Sequence, residues 1–345
     1  MTGAPGEPSP RWRQLLAQRL EEAVGVLGAL PGVRGLVVGG SVGRGEPWPL
    51  SDIDLLPVYA GSFAPAEEVA RAQAMLVDWW AASGRAQTLD VGWLAFIDDE
   101  VRQVASAGPA EAAARMPDPR WFHGIDKAFG GRAAADPDGL AGAFLSWVAL
   151  ARFHPLVTAA RADHWRRQAA GARRDAAAAL AAEDPVRAAR RLREAAGALV
   201  ELLVERWGER LGSMGRSWTR FERLAGERGA AELGERLVAL AGADPGEARH
   251  RVDQAPVWLR ERIELAAAAR RAVGEPVGAG QNARDQLLAF SVHVSRRRPD
   301  LAGPWTEPPA PGPDLGERLA ELERLIAVVA DQGRVAPPPG GGRSA

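Results

Sequence analysis

Two short apolar segments on either side of a glycine-rich turn constrain the fold of this chain more than any other feature. The first segment, residues 36–38, reads Leu-Val-Val and ends at Gly39 and Gly40, which Ser41 follows directly. Glycine has no Cβ, so the backbone can turn sharply there and approach a ligand closely. We expect Ser41 to begin a short helix, where its hydroxyl and the free N–H groups of the first turn can bind phosphate oxygens.

The second apolar segment carries two acidic side chains. Alternate residues of a strand share a face, so in the sequence Ser-Asp-Ile-Asp-Leu both Asp52 and Asp54 point the same way, while their apolar neighbours point into the core. Two neighbouring carboxylates repel each other, and such a pair commonly holds a hard cation such as Mg²⁺. We expect the third ligand to be Asp90, which lies between apolar residues of a predicted strand over 86–97.

Taken together, these residues resemble the motif of the nucleotidyltransferase superfamily, which includes DNA polymerase β and small antibiotic-modifying nucleotidyltransferases. The family pattern is an apolar strand, a glycine and serine turn, a spacer of about ten residues, and Asp-x-Asp between apolar residues. Smaller members extend it to Gly-Ser-x-x-Arg-Gly and Ser-Asp-x-Asp. The matching residues are Gly39, Gly40, Ser41, Arg44, Gly45, Ser51, Asp52 and Asp54.

The resemblance implies a polymerase β-like domain and a reaction assisted by two Mg²⁺ ions about 4 Å apart. It implies that Asp52 and Asp54 bind both ions, and that Asp90 binds the ion nearest the acceptor and takes its proton. Arg44 would stabilise the pyrophosphate leaving group, or would equally well pair with Glu46. The residues implied to bind the phosphates of ATP or another nucleoside triphosphate are Gly39, Gly40, Ser41, Arg44 and Ser51.

Two other kinds of glycine-rich loop are excluded by their spacing. A P-loop requires Gly-Lys-Ser or Gly-Lys-Thr, and no lysine lies in this stretch. The dinucleotide-binding fingerprint requires Gly-x-Gly-x-x-Gly, whereas Gly40, Gly43 and Gly45 give the reverse spacing. The remaining alternative is a turn followed by a surface acidic pair, which would require all the matching positions to coincide by chance.

Composition excludes several further classes of protein. The 345 residues carry a net charge of -1 and contain no cysteine, which excludes disulfides, thiolate metal sites and cysteine nucleophiles. No apolar run approaches a membrane span in length, and the N-terminus lacks the layout of a signal peptide. We therefore expect a cytoplasmic protein that does not bind membranes or, through its overall charge, nucleic acid, and an oligomer is compatible with this composition.

The order of predicted elements indicates an α+β chain with two domains. Helix and strand alternate up to residue 97, which suits a small mixed sheet with helices on one side. Predicted helices then cover 139–153, 155–181, 185–207, 217–242, 246–272 and 280–297. The predicted organisation is a disordered segment 1–10, a nucleotidyltransferase domain 11–115, a connection 116–138, an all-helical acceptor-binding domain 139–335 and a disordered tail 336–345.

Several other side chains are candidates for the same site. Asp98 and Asp99 are the reserve candidates for the third carboxylate, although they are more typical of a helix start. Lys127 is the only lysine and could meet the phosphates, whereas an ordinary solvated lysine is the commoner role. Arg216 and Arg220 could also reach a triphosphate from a helical face, or could belong to a helix cap with surface ion pairs.

These observations predict an enzyme that moves a nucleoside monophosphate, with ATP as the first candidate donor, to a hydroxyl of a small molecule such as an antibiotic or a metabolite, releasing pyrophosphate. An aminoglycoside acceptor would call for an acidic pocket, which the arginine-rich stretch 161–193 does not match. The alternatives are a protein-modifying adenylyltransferase or antitoxin-like regulator of the same fold, and a non-catalytic binding module. A template-directed polymerase is disfavoured because no basic groove for nucleic acid is evident.

Overall fold

The computed structural model describes residues 11–306 and 315–332. The predicted disordered segments 1–10 and 336–345 lie outside the described residues. The described chain is a mixed α+β protein. It divides into two compact units, one of residues 11–160 with Ala268–Glu275 and the other of Arg161–Ala267 with 276–306 and 315–332.

The first unit contains a five-stranded sheet and the helices around it. Its strands are β1 (Val33–Val38), β2 (Ile53–Tyr59), β3 (Leu89–Val91), β4 (Phe96–Ile97) and β5 (Arg132–Ala133). Its helices are α1 (Trp12–Gly28), α2 (Gly40–Gly43), α3 (Ala66–Ala82), α4 (Asp98–Ser106), α5 (Pro109–Arg115), α6 (Pro119–Ala128) and α7 (Leu140–Ala151).

The topology of the sheet brings several strand termini together at one end of the sheet. The strand order is β3-β2-β1-β5, with β4 also pairing with β2. β2 runs antiparallel to β1 and parallel to β3 and β4, while β5 pairs antiparallel with the end of β1. The end of β1, the start of β2, all of β3 and the start of β5 therefore lie at the same end of the sheet.

The core of this unit lies between the sheet and the helices α1 and α3. Every residue of β2 is buried, which is why the strand reads as an almost continuous apolar run. Leu20 and Leu27 of α1 and Trp80 of α3 are buried in one cluster with Ile53. Burying each such side chain stabilises the fold by about 1.5–3 kcal/mol. The core thus fixes β2, the strand that carries Asp54.

The structure corrects two features that the sequence predicted for this unit. The predicted strand 86–97 is two short strands, β3 and β4, because the chain turns at Gly92, whose φ of 110° is not strand backbone. The predicted connection 116–138 instead folds as α6 and the edge strand β5. Pro119 does not break a helix but begins one, and the carboxylate of Asp118 caps it by accepting a hydrogen bond from the Arg120 N–H.

The regular elements of the second unit are all helices in its described residues, and α7, which the sequence assigned to the helical domain 139–335, belongs to the first unit. From residue 155 onward the helices are α8 (Pro155–Ala181), α9 (Pro185–Arg206), α10 (Ser217–Glu227), α11 (Ala231–Leu240), α12 (Pro245–Arg251), α13 (Val257–Ala272), α14 (Ala279–Arg297) and α15 (Leu315–Gln332). The predicted helices 217–242 and 246–272 are each divided in two. The first breaks near Gly229, whose φ is 68°, and the second breaks before Pro256.

Across residues 11–306 and 315–332, no individual helix has the length and apolar character needed to cross a bilayer. The pair α7 and α8 meets that test only when the two helices are taken together across the bend between them.

Candidate active site

The glycine turn lies directly beside Asp54. β1 ends at Val38, and the Gly39 N–H donates a 2.9 Å hydrogen bond to the backbone carbonyl of Asp54. Gly40 has a φ of 60° and begins the four-residue helix α2. This confirms the predicted strand, turn and short helix, and it places the start of α2 at the same end of the sheet as the carboxylates.

The space around the two glycines is taken up by the protein itself. A Cβ built on Gly40 would overlap Oδ2 of Asp54, and one on Gly39 would lie 2.7 Å from the carbonyl oxygen of Lys127. A Cβ on Gly43 would likewise overlap the carbonyl of Val38. The sequence predicted that glycine is needed here for a ligand to approach. In the structure, glycine is needed because a carboxylate and two backbone carbonyls of the protein already pack against these positions and leave no room for a Cβ.

Asp54 and Asp90 lie side by side on two neighbouring parallel strands, β2 and β3. In the pairing of β2 with β3, Asp54 is the register partner of Asp90. Neighbouring strands lie about 4.8 Å apart, so the two backbones bring these carboxylates within reach of a shared cation. Asp52 lies just before β2 and is partly buried, as is Asp90, whereas Asp54 is only 2% exposed. The predicted adjacency of the strands is therefore confirmed, while the roles of the three residues stay a prediction.

Lys127 supplies the positive charge at this end of the sheet. It lies in the last turn of α6, where the helix dipole favours a cation. Its ammonium donates a 2.7 Å hydrogen bond to Oδ1 of Asp54, and the lysine side chain is 29% exposed. Lys127 is therefore not an ordinary solvated lysine, because it is paired with the most deeply buried of the three carboxylates.

The electrostatics of the site follow from three carboxylates around one ammonium. The pKa of Asp54 is raised to about 6, first by burial and then by the charges of Asp52 and Asp90, with Lys127 acting in the opposite direction. Burial lowers the pKa of Lys127, but the three carboxylates raise it more, so the net shift is upward. Both groups hold their protons more tightly than usual, Asp54 chiefly because it is buried and Lys127 because three carboxylates surround it. A divalent cation would relieve the excess of negative charge in the cluster.

Ser41 and Ser51 join the glycine turn to the start of β2. Their hydroxyl oxygens lie 2.8 Å apart, and Ser51 Oγ also accepts a 3.0 Å hydrogen bond from the Trp48 N–H. Ser51 is buried and Ser41 is partly exposed. Of the two hydroxyls, that of Ser41 is therefore the one placed to contact a ligand, while Ser51 holds the loop between α2 and β2 in shape.

Arg44 follows α2 and lies against a second glycine pair. Its Nε is 3.5 Å from a carboxylate oxygen of Glu46, which is the alternative partner that the sequence suggested. Its aliphatic stem packs on Gly130, where an added Cβ would lie 3.0 Å from Arg44 Cγ. The arginine side chain thus lies between the glycine turn and the segment that follows α6.

A small open cleft lies over the carboxylates. It is lined by residues 54–56, residues 90–94 and Lys127, and it holds about 170 Å³ of open space. Trp93, 48% exposed, lies at this cleft and its Nε1 is 3.4 Å from Oδ2 of Asp90.

The side chains present fit a hard cation in their chemistry. Mg²⁺ takes oxygen ligands, and three carboxylates offer them here. Burial raises the pKa of Asp54, and the repulsion from Asp52 and Asp90 adds to that rise; a divalent cation would neutralise this repulsion. In residues 11–306 and 315–332, however, no three His, Cys, Asp or Glu side chains are gathered closely enough to hold a metal ion as they stand. Oδ1 of Asp54 is bound to Lys127 instead.

Asp98 and Asp99 follow β4, at the other end of β2 from this cluster. Asp98 begins α4 and accepts a 2.9 Å hydrogen bond from the Gly61 N–H. Arg102 forms ion pairs with both Asp98 and the exposed Asp99. The two aspartates therefore serve as helix-starting residues. In the second unit Arg216 is 2% exposed, and Arg220 donates to the carbonyl of Leu211. The predicted contact of Arg216 or Arg220 with a triphosphate stays a prediction.

Comparisons of the chain with protein-family models, with curated proteins and with solved structures found no match. The resemblance to nucleotidyltransferases consequently rests on the motif residues themselves.

Proposed function

We propose that this chain is a Mg²⁺-dependent nucleotidyltransferase that moves a nucleoside monophosphate from a nucleoside triphosphate, with ATP as the expected donor, to a hydroxyl of a small molecule. The observation that carries the proposal is the register pairing of Asp54 with Asp90. It supports the proposal because two carboxylates on neighbouring strands are costly to hold together unless they bind a cation. The glycine turn and the start of α2 lie beside them and offer N–H groups to phosphates.

The proposed reaction exchanges one phosphorus–oxygen bond for another. The oxygen of the acceptor hydroxyl forms a bond to the α-phosphorus of the triphosphate. The bond from that phosphorus to the oxygen bridging the β-phosphate breaks, and pyrophosphate leaves with the electron pair. The hydroxyl proton passes to Asp90, whose carboxylate is the more exposed of the register pair. No oxidant or further reactant is needed.

The residues divide between the two ends of the triphosphate in this proposal. Asp52, Asp54 and Asp90 hold Mg²⁺, which when bound would neutralise the phosphate charge and lower the pKa of the acceptor hydroxyl. Ser41 and the backbone N–H groups of α2 bind the terminal phosphates. Arg44 lies just beyond α2 and stabilises the pyrophosphate as its charge develops.

The proposal is tested by measuring pyrophosphate release from purified full-length protein with Mg²⁺ and each of the four nucleoside triphosphates. The acceptor panel contains aminoglycosides, lincosamides and a small-molecule extract of cells, and the control is the Asp52→Ala/Asp54→Ala double variant. We expect release that requires both an acceptor and the two aspartates. Transfer of label from the α-phosphate to a protein instead of a small molecule would identify a protein-modifying enzyme. Triphosphate binding without any release would contradict catalysis.

A further inference from the structure

Lys127 is held at the carboxylates by a helix that is fixed to the rest of the first unit. At the start of α6, both terminal nitrogens of Arg120 lie 2.6 Å from the carboxylate oxygens of Glu100. Near its end, Asp126 pairs with the buried Arg152 at 2.8 Å. The position of the Lys127 backbone is therefore set by α6, and its ammonium can change partner only through rotation of its own side chain.

The stem of Lys127 lies along the glycine turn. A Cβ added to Gly39 would lie 2.7 Å from the Lys127 carbonyl oxygen and 3.2 Å from its Cγ. From there the ammonium extends to Oδ1 of Asp54. The Lys127 ammonium is thus held at the junction between the turn and the carboxylates, where a divalent ion and a phosphate would meet in the proposed reaction.

Both oxygens of Asp54 are already in contact with the protein. Oδ1 accepts the hydrogen bond from Lys127, and Oδ2 lies against Gly40 so closely that no Cβ would fit. A divalent cation that binds the buried Asp54 through Oδ1 meets the ammonium already placed at that oxygen. Two positive charges at this distance repel each other, so the ammonium and the metal ion compete for the same carboxylate.

We propose that Lys127 is the resident counter-ion of this site: its ammonium neutralises Asp54 in the metal-free protein and is displaced from Asp54 when a divalent cation binds. The inference rests on the proposed function for the presence of a cation site, and it assigns to the lysine a role in regulating that site. The exchange is of one cation for another at Asp54, and no covalent bond is made or broken.

The first test is Mn²⁺ binding to the full-length, nucleotide-free protein, measured by titration calorimetry for the wild type and for Lys127→Met, Lys127→Arg and Asp54→Asn. Methionine keeps the packing of the stem and removes the charge, so we expect Lys127→Met to bind Mn²⁺ at least about tenfold more tightly. Lys127→Arg keeps the charge and should remain within about threefold of the wild type. Equal or weaker binding by Lys127→Met would overturn the proposal.

The same titration separates the counter-ion role from the proposed function. If Asp54→Asn abolishes binding while Lys127→Met leaves it unchanged, the cation site stands and the counter-ion role is wrong. If neither the wild type nor Lys127→Met binds Mn²⁺, the cation site and the role of Lys127 are both refuted.

A second test does not depend on any lysine variant. Lys127 is the only lysine, so protein labelled with ¹⁵N-lysine has one side-chain ammonium resonance. We expect saturating Mg²⁺ to shift that resonance in the wild type and to leave it in place in Asp54→Asn. An unchanged resonance in wild-type protein that calorimetry shows to be saturated would overturn the displacement.

Discussion

The carboxylate of Asp54 packs directly against the backbone of Gly40 and occupies the space that a side chain at position 40 would need. Gly40 has a φ of 60°, and a Cβ built on it would overlap Oδ2 of Asp54. The glycine turn and the carboxylate are thus parts of one packed arrangement.

Replacing Gly40 with alanine should therefore destabilise the protein for two reasons. The positive φ costs an L-residue about 1–2 kcal/mol, and the overlap with Asp54 should add at least about 2 kcal/mol. Gly45→Ala is a matched control, because Gly45 has a φ of 73° but no atom within 4 Å of an added Cβ. Urea unfolding of both variants measures the difference. Equal losses would show that the Asp54 carboxylate moves aside readily.

The pH dependence of stability should contain a contribution from Asp54. Burial and the neighbouring carboxylates raise its pKa from 3.8 to about 6, so the folded state binds this proton more tightly than the unfolded state. The free energy of unfolding should accordingly fall as pH rises from about 4 to about 7, by on the order of 3 kcal/mol. Unfolding of metal-free wild-type protein and Asp54→Asn across this range measures it. If the free energy of unfolding changes equally with pH in both proteins, the titrating group is not Asp54.

Asp90 should be necessary for the proposed reaction. Asp90→Asn keeps the shape of the side chain but removes a cation ligand and the proton acceptor, so pyrophosphate release should fall by about 10²-fold or more. Asp78→Asn is the control, since Asp78 is exposed on α3. Steady-state rates with and without the acceptor measure the effect. An Asp90→Asn variant with undiminished release would remove Asp90 from the proposed chemistry.

Loss of the Arg120 and Glu100 pair should loosen α6. Arg120→Met removes both 2.6 Å contacts and the 3.1 Å hydrogen bond to the Ala95 carbonyl, so we expect a loss of about 1–3 kcal/mol. Amide hydrogen exchange in α6 should also become faster. Arg71→Met removes an exposed pair whose charges lie 3.9 Å apart and should cost under about 0.5 kcal/mol. Unchanged exchange in α6 would show that the pair does not hold the helix.

The stabilisation that the Arg120–Glu100 ion pair supplies should depend on pH. Burial raises the pKa of Glu100, but hydrogen bonds from Arg120 and the Ile97 N–H lower it more, so the net shift is downward from 4.5. The stability that the pair supplies should therefore be present above about pH 4.5 and be lost as pH falls below it. The difference between wild type and Arg120→Met should shrink over the same range.

The sequence was most informative where one local signal decided the structure. The apolar run of β1, the glycines after it and the alternation around Asp54 each act within a few residues, and the predicted strand, turn and strand are confirmed. The predicted strand over 86–97 is too long because the chain turns at Gly92, between β3 and β4. A single glycine within an apolar segment is compatible with a bulge as well as with a break, and only the pairing of β2 with two separate strands decides between them.

The position of Lys127 could not be predicted because it depends on a contact 73 residues away in sequence. A local signal for its helix was present, however. Asp118 and Pro119 form an N-cap and first helical position, and Trp121, Ile125 and Ala128 follow the spacing of one buried helical face. The pairing of β5 with β1, which returns the chain to the site, has no comparable local signal.

The distance in sequence between Asp54 and Lys127 also governs the order in which this unit can form during synthesis. β1 and β2 leave the ribosome long before α6, so Asp54 is synthesised well before Lys127, the residue that pairs with it in the folded protein. Burying an ionised carboxylate without a partner is strongly unfavourable. A nascent chain that ends before residue 127 should therefore keep this edge of the sheet open to water, and the edge closes only when α6 brings its lysine to it.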